Sequence, residues 1–341
     1  MRFCFLLLLL PVLLSSCAND ALPAVRVDFI GNTTLTSSDR VVNPNDTLST
    51  RVFASSTTDR ALKRLRIAVS YEPGPQPFIY PTPLSSFNAN DDGPDPLSLV
   101  YLDSLIAPLP NEPTGREYLF ENRYSARSTS GTEAWQYTFS DDATPAQSTT
   151  RGFRLTVRKP DSAAVFHSYT TTVRPLPRTP LPTASARDQA RVFLNLRYGL
   201  LLPKYALINQ EASLQANQPL VDLVCVSTGG GTGISLNSPA DDATVALSAL
   251  TWPVANRRRT LLRPTALTTT QFTQAATTAN FTDAYAAGTA PAALSTTPLA
   301  RESVWAFQTT AGADTYTGLI LVTDLITGTA PVLRLSVKVQ K

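Results

Sequence analysis

The chain is poor in the side chains that carry much of enzyme chemistry. Its 341 residues include one histidine, His167, and three cysteines, Cys4, Cys17 and Cys225. A single histidine excludes, by count, zinc sites built from several His or Cys ligands, so neither a metal nor a cofactor is expected. A Ser-His-Asp triad would have to run through His167. That residue lies within residues 165–173, VFHSYTTTV, which read as a strand, so a strand-face or edge histidine is expected there. Cys4 and Cys17 fall at the very start, leaving Cys225 alone in the body, where no internal disulfide can form. Its neighbours, Leu223, Val224 and Val226, are apolar and predict a buried, inert thiol; a reactive one would want a His or a cation beside it.

Charge is also sparse, at 16% of residues with a net charge of +3, and Lys and Arg are spread along the chain. No nucleic-acid footprint follows from such a distribution. Arg257, Arg258 and Arg259 form the one tight basic cluster. It reads as a solvated loop, with a patch for acidic glycan or lipid headgroups as the sharper alternative.

Long stretches with helical spacing are almost absent, whereas short runs alternating at period two recur throughout. The chain is long enough for two domains of ordinary size. The fold class expected is all-β with minor short helices: two β-sandwich domains in tandem, the first over residues 24–174 and a second β-rich one over 187–341. Strands are expected at 25–30, 47–54, 64–71, 97–106, 118–126, 134–140, 151–159 and 165–174. Residues 175–186 open on PLPRTPLP, a semi-rigid spacer that marks the domain boundary. The second unit contains an apolar strand around Val221–Ser227, a Gly-rich hairpin loop at 229–233, and three closing strands at 303–309, 317–325 and 332–339. In the last, Leu333, Leu335, Val337 and Val339 point inward and Arg334, Ser336 and Lys338 outward. Short helices are expected at 268–272, where Phe272 buries, and at 277–287, where Phe281 and Tyr285 share a face.

The first 17 residues, MRFCFLLLLLPVLLSSC, combine Arg2, an apolar run too short to span a bilayer, and small residues before a cysteine. Leu14-Ser15-Ser16-Cys17 resembles the lipobox of bacterial lipoproteins. That resemblance implies a signal peptide over 1–16, cleavage before Cys17, diacylglyceryl transfer to its thiol, and a lipidated tether over 17–23. Two or more acyl chains hold a protein to a membrane stably, where one does so only marginally. Ala18 departs from the Asp that favours inner-membrane retention in enteric-type lipoproteins. The resemblance therefore implies an outer-membrane anchor, with the body facing either the periplasm or the surface.

Two further resemblances bear on architecture. Trp135-Gln136-Tyr137-Thr138-Phe139 followed by Ser140-Asp141-Asp142 resembles PKD and related immunoglobulin-like bacterial domains, which implies an immunoglobulin-like first unit closed by strands 151–159 and 165–174. The anchored front end and the closing hairpin of residues 318–339 together resemble modular β-sandwich lipoproteins of Bacteroidota. The function expected is a non-catalytic binding or structural role toward glycan, protein or envelope material. The loop at 73–96 offers Phe78, Tyr80 and Phe87, beside Asp91, Asp92 and Asp95; the second unit offers Trp252 with Arg257, Arg258 and Arg259. Each aromatic has a packing alternative. The competing expectation is a carboxylate-dependent glycoside hydrolase or other surface hydrolase using Asp222, Asp241 or Asp242, since two carboxylates suffice for glycoside cleavage.

Overall fold

The computed structural model describes residues 22–72, 97–108, 111–157, 166–177, 182–208, 211–228, 233–241, 245, 247–312 and 314–341. The fold is all-β, with several sheets and few short helices. Eight strands come first: β1 (Val25–Ile30), β2 (Arg40–Val42), β3 (Thr47–Ser56), β4 (Leu62–Glu72), β5 (Leu97–Leu105), β6 (Glu117–Ser125), β7 (Gly131–Asp141) and β8 (Ser148–Val157). They form a three-stranded sheet, β1-β3-β6, and a five-stranded sheet, β2-β8-β7-β4-β5. Strand β2, in a stretch whose turn residues hide it from pattern reading, pairs parallel to β8.

These sheets pack face to face because each strand turns alternate apolar residues inward. Val52 and Ala54 of β3 and Tyr124 of β6 meet Ile67 of β4 and Trp135, Tyr137 and Phe139 of β7, all essentially inaccessible to water. The Tyr124 and Trp135 rings lie 4.2 Å apart, and Phe29 stands edge-on to Tyr137 at 5.3 Å. On one side the sandwich is laced shut: Thr149 and Arg151 of β8 donate to the carbonyls of Val25 and Val27 on β1. On the other side the edge strands β5 and β6 part.

The remaining strands are β9 (Phe166–Val173), β10 (Arg191–Asn195), β11 (Leu200–Pro203), β12 (Leu223–Ser227), β13 (Ile234–Asn237), β14 (Arg259–Pro264), β15 (Val304–Ala311), β16 (Asp314–Ile326) and β17 (Val332–Gln340). A four-stranded sheet, β11-β10-β12-β13, forms a middle layer buried on both faces. Phe193, Leu200, Leu202 and Val224 face the first sandwich, while Leu194, Leu201, Leu223 and Cys225 face the other way. Double burial explains why β11 reads as an unbroken apolar run. Beyond it lies a second five-stranded sheet, β14-β15-β16-β17-β9. Backbone bridges from Asn237 to Ser295 and from Leu262 to Ala293 join these two sheets along one side.

The strand expected to close the first unit, at 165–174, is β9, and it sits elsewhere. It pairs antiparallel with β17, His167 opposite Val339 and Val173 opposite Leu333. Its alternation suits any antiparallel edge, and the register against β17 buries Tyr169 and Val173 with Leu335 and Val337. The proline-rich stretch therefore connects parts that share cores.

Helix α1 (Ala184–Gln189) follows that stretch, capped by Thr183, and α2 (Ala212–Gln215) precedes β12. Helices α3 (Thr269–Gln274) and α4 (Thr278–Ala286) form where the sequence places them. Each opens on a capping box, Thr268 with Gln271 and Thr277 with Asn280. Phe272 and Phe281 bury against Val304, Ala306, Leu319 and Leu321 on the outer face of the C-terminal sheet. Lys338 thus points away from the inner core, as its position in β17 requires, but not into water. The helical layer covers it, and its ammonium donates to the carbonyls of Thr273 and Ala275 at 2.8 and 2.7 Å.

Candidate functional site

Edge strands present unpaired backbone groups, so the parted β5–β6 side needs a cover. Residues 204–208 and 211–220 supply much of it. Tyr205 inserts beside Tyr101, with ring centroids 5.7 Å apart, and its hydroxyl donates to Asn122 on β6. Asn217 donates to the carbonyl of Val100 on β5 at 2.6 Å. Asp103 of β5 accepts from Arg64 at 2.5 Å and from Ser213 of α2 at 2.9 Å, pinning α2 to the strand.

The cover is incomplete. Between β5, β6, Tyr205 and α1 runs an open groove of about 680 Å³. Leu102, Phe120 and Tyr205 give it an apolar and aromatic lining; Glu121 and Arg123 lie on β6, and Ser185, Asp188 and Gln189 on α1. Glu121 accepts from Arg51 and Arg123, each at 2.8 Å, and Asp188 pairs with Lys204 at 3.0 Å. Hydrogen bonds from Arg51 and Arg123 hold the Glu121 carboxyl below the usual carboxylate range. Burial pushes the Tyr205 phenol up to about 12, so it stays a neutral donor at physiological pH. A lining of flat apolar faces with convergent polar groups is the usual make-up of a small-molecule site. Here the carboxylate is ionised and paired, which suits accepting hydrogen bonds rather than delivering a proton.

The residues singled out from sequence are distributed otherwise. Cys17, Phe78, Tyr80, Phe87, Asp91, Asp92, Asp95 and Asp242 lie outside the described residues. Trp252 is wholly buried 5.7 Å from the ring of Phe193, and its indole donates to the carbonyl of Asn256, so it offers no face to a sugar ring. The three arginines do not form a patch. Arg257 turns inward and donates to the carbonyls of Trp252 and Leu247; Arg258 binds Asp222; Arg259 alone is exposed, at the start of β14. Only Arg259 lies in β14; Arg257 and Arg258 belong to the irregular backbone before it, which aims each at a different set of partners.

Asp222, the carboxylate with hydrolase potential, is fully buried and committed. It accepts from Arg258 and the Tyr316 hydroxyl, both at 2.6 Å, and from the Leu196 amide at 2.6 Å. Burial and the neighbouring Asp222 carboxylate push the Tyr316 phenol well up, while Arg258, whose burial works against its charge, is held above its ordinary value by Asp222 and Tyr316. This is a structural knot between two sheets rather than a carboxylate facing a groove. Asp241 is largely buried in the turn after β13. His167 is buried on β9, and burial raises the pKa of the Cys225 thiol on β12. Among the described residues no group of three or more His, Cys, Asp and Glu could hold a metal ion. Nor, among them, is any helix long and apolar enough to cross a membrane.

No protein-family model matches the chain, and no curated protein matches it. Among solved structures it is similar to a DUF4466 family protein from Parabacteroides merdae. The identity is 11% and the TM-score 0.33, with 94% of this chain and 99% of that one covered. It is also similar to Spo0M, a sporulation control protein from Bacillus subtilis, at 11% identity and a TM-score of 0.24, with 62% of this chain and 78% of that one covered. The groove residues Leu102, Phe120, Glu121, Arg123 and Tyr205 escaped sequence reading because they come from separate elements and form no local motif.

Proposed function

We propose that the protein is a lipid-anchored component of a bacterial cell envelope, held at the outer membrane through Cys17, with a non-catalytic binding role. Its first unit is immunoglobulin-like in this reading. The order β1-β3-β6 against β2-β8-β7-β4-β5, with β2 parallel to β8, supports that description. The ligand is a glycan segment, taken in the groove between β5, β6 and α1. The observation that carries the reading is the lining itself: Phe120 and Tyr205 give flat faces for sugar rings, and Glu121, Ser185, Asp188 and Gln189 give hydroxyl partners. Support for binding without turnover comes from Glu121, kept ionised by two arginines, where a general acid needs a raised pKa.

The test is a glycan array probed with the mature chain, followed by titration of the strongest ligand. Binding is expected to fall about tenfold or more in Tyr205→Ala and Phe120→Ala, with no product released from any bound polysaccharide. Silence across the array, or hydrolysis of a bound polysaccharide, overturns the reading. Replacing Cys17 with Ser tests the anchor separately: the full-length protein should leave the membrane pellet.

A further inference from the structure

A second, smaller pocket of about 140 Å³ lies where three sheets meet. Asn45, Thr47 and Ser125 line it from the first sandwich, Thr172 and Arg174 from the end of β9, and Gln189 and Arg191 from the α1–β10 junction. Gln189 also borders the groove, so the two compartments adjoin.

The charge here is one-sided. Arg191 is half-buried; its Nη2 reaches only the Thr47 hydroxyl, at 3.4 Å, and its Nη1 is buried with no hydrogen-bond partner among the described residues. Burial lowers its pKa; the nearby Tyr101 and Tyr205 phenols work against that, and the Arg174 and Arg123 guanidiniums add to it. A buried guanidinium with an idle donor is costly, because desolvation is not offset by pairing. With a second guanidinium in the same lining, and no carboxylate lining the pocket among the described residues, such a group has the composition of an anion receptor. Guanidinium donors match planar and tetrahedral oxyanions, and Thr, Ser and Asn side chains supply the remaining donors. The volume is ample for one such group.

We infer that the pocket formed by Arg174, Arg191, Thr47 and Ser125 is a binding site for a single oxyanion, a carboxylate, sulfate or phosphate group. Set beside the groove, it selects an acidic glycan whose charged substituent enters this pocket. The second statement rests on the binding role proposed above; the anion site itself does not.

The experiment is thermal unfolding of the mature chain with sodium sulfate, inorganic phosphate and glucuronate, each against sodium chloride at matched ionic strength. At least one oxyanion is expected to raise the melting temperature saturably, as a ligand specific to the folded state must. The shift should vanish in Arg191→Gln and its half-saturation point should rise about tenfold in Arg174→Gln, an exposed position where folding is safe. Without added anion, Arg191→Gln should melt no lower than the parent, because the substitution removes an unpaired buried charge; a purely structural arginine would behave oppositely. Equal shifts with chloride, no shift with any oxyanion, or a shift that persists in Arg191→Gln overturns the inference. An oxyanion response with a silent glycan array keeps this site and rejects the groove reading; the reverse result keeps the groove and rejects this site.

Discussion

Arg258 meets Asp222 at 2.6 Å inside the contact between the four-stranded and the C-terminal five-stranded sheets, with the Asp222 side chain fully inaccessible and that of Arg258 only 12% exposed. The Tyr316 hydroxyl and the Leu196 amide complete the carboxylate's partners. Breaking a buried pair from one side leaves a charge without compensation, at a cost of about 3–5 kcal/mol. Asp222→Asn and Arg258→Met should each lower the unfolding free energy in urea by that order. The double variant should lose less than the sum, because the partners act as one unit.

Asp103 gives the acid limb of stability a named contributor. Burial works against its charge, but hydrogen bonds from Arg64 and Ser213 hold the carboxyl below its ordinary value. A lowered folded pKa adds stability above the unfolded value of about 3.9, and that stability disappears as pH falls through the folded value. The difference in unfolding free energy between the parent and Asp103→Asn should therefore be flat near neutrality and shrink in acid. Ser213→Ala should loosen α2 and raise amide exchange over residues 212–215.

Lys338 behaves in the opposite sense. Burial lowers its pKa below the usual amine range, so the charged form costs stability at neutral pH. That cost is relieved as pH rises through the folded value toward the unfolded one of about 10.4. Denaturation midpoints of the parent should climb over this alkaline window relative to Lys338→Met, which lacks the titration.

Arg263 holds the far end of the same helical layer. Its guanidinium donates to the carbonyls of Tyr285 at 2.7 Å, Ala286 at 3.0 Å, Gly288 at 2.9 Å and Ala290 at 2.9 Å, closing the C-terminus of α4. Cations there satisfy orphan carbonyls and oppose the negative end of the helix. Arg263→Ala should cost about 1–3 kcal/mol and reduce helical signal in circular dichroism before global unfolding.

Trp252 separates core from site. Trp252→Ala should cost about 3–5 kcal/mol, as large-to-small core changes do, while leaving ligand affinity unaltered at temperatures where the variant is folded. A loss of affinity with unchanged stability would return Trp252 to the binding surface.

Much of this was legible residue by residue. Period-two alternation located β4, β7 and β17, a threonine able to cap located α3, and the four-residue spacing of Phe281 and Tyr285 located α4, because these signals are local. Strand β14 was hidden behind three consecutive arginines, whose separate partners only the tertiary structure assigns. The groove was invisible for the same reason, its lining being brought together from β5, β6, Tyr205 and α1.

The amino-acid sequence alone determined the all-β class, the two short helices α3 and α4 and the buried thiol at Cys225, since each follows from composition or short-range pattern. Tertiary structure decided which strands became neighbours, and so placed β9 beside β17, tied Asp222 to Arg258 and left Arg191 with an idle donor. Alternation tells a strand which face to bury but not against which partner, and that choice is made by long-range packing.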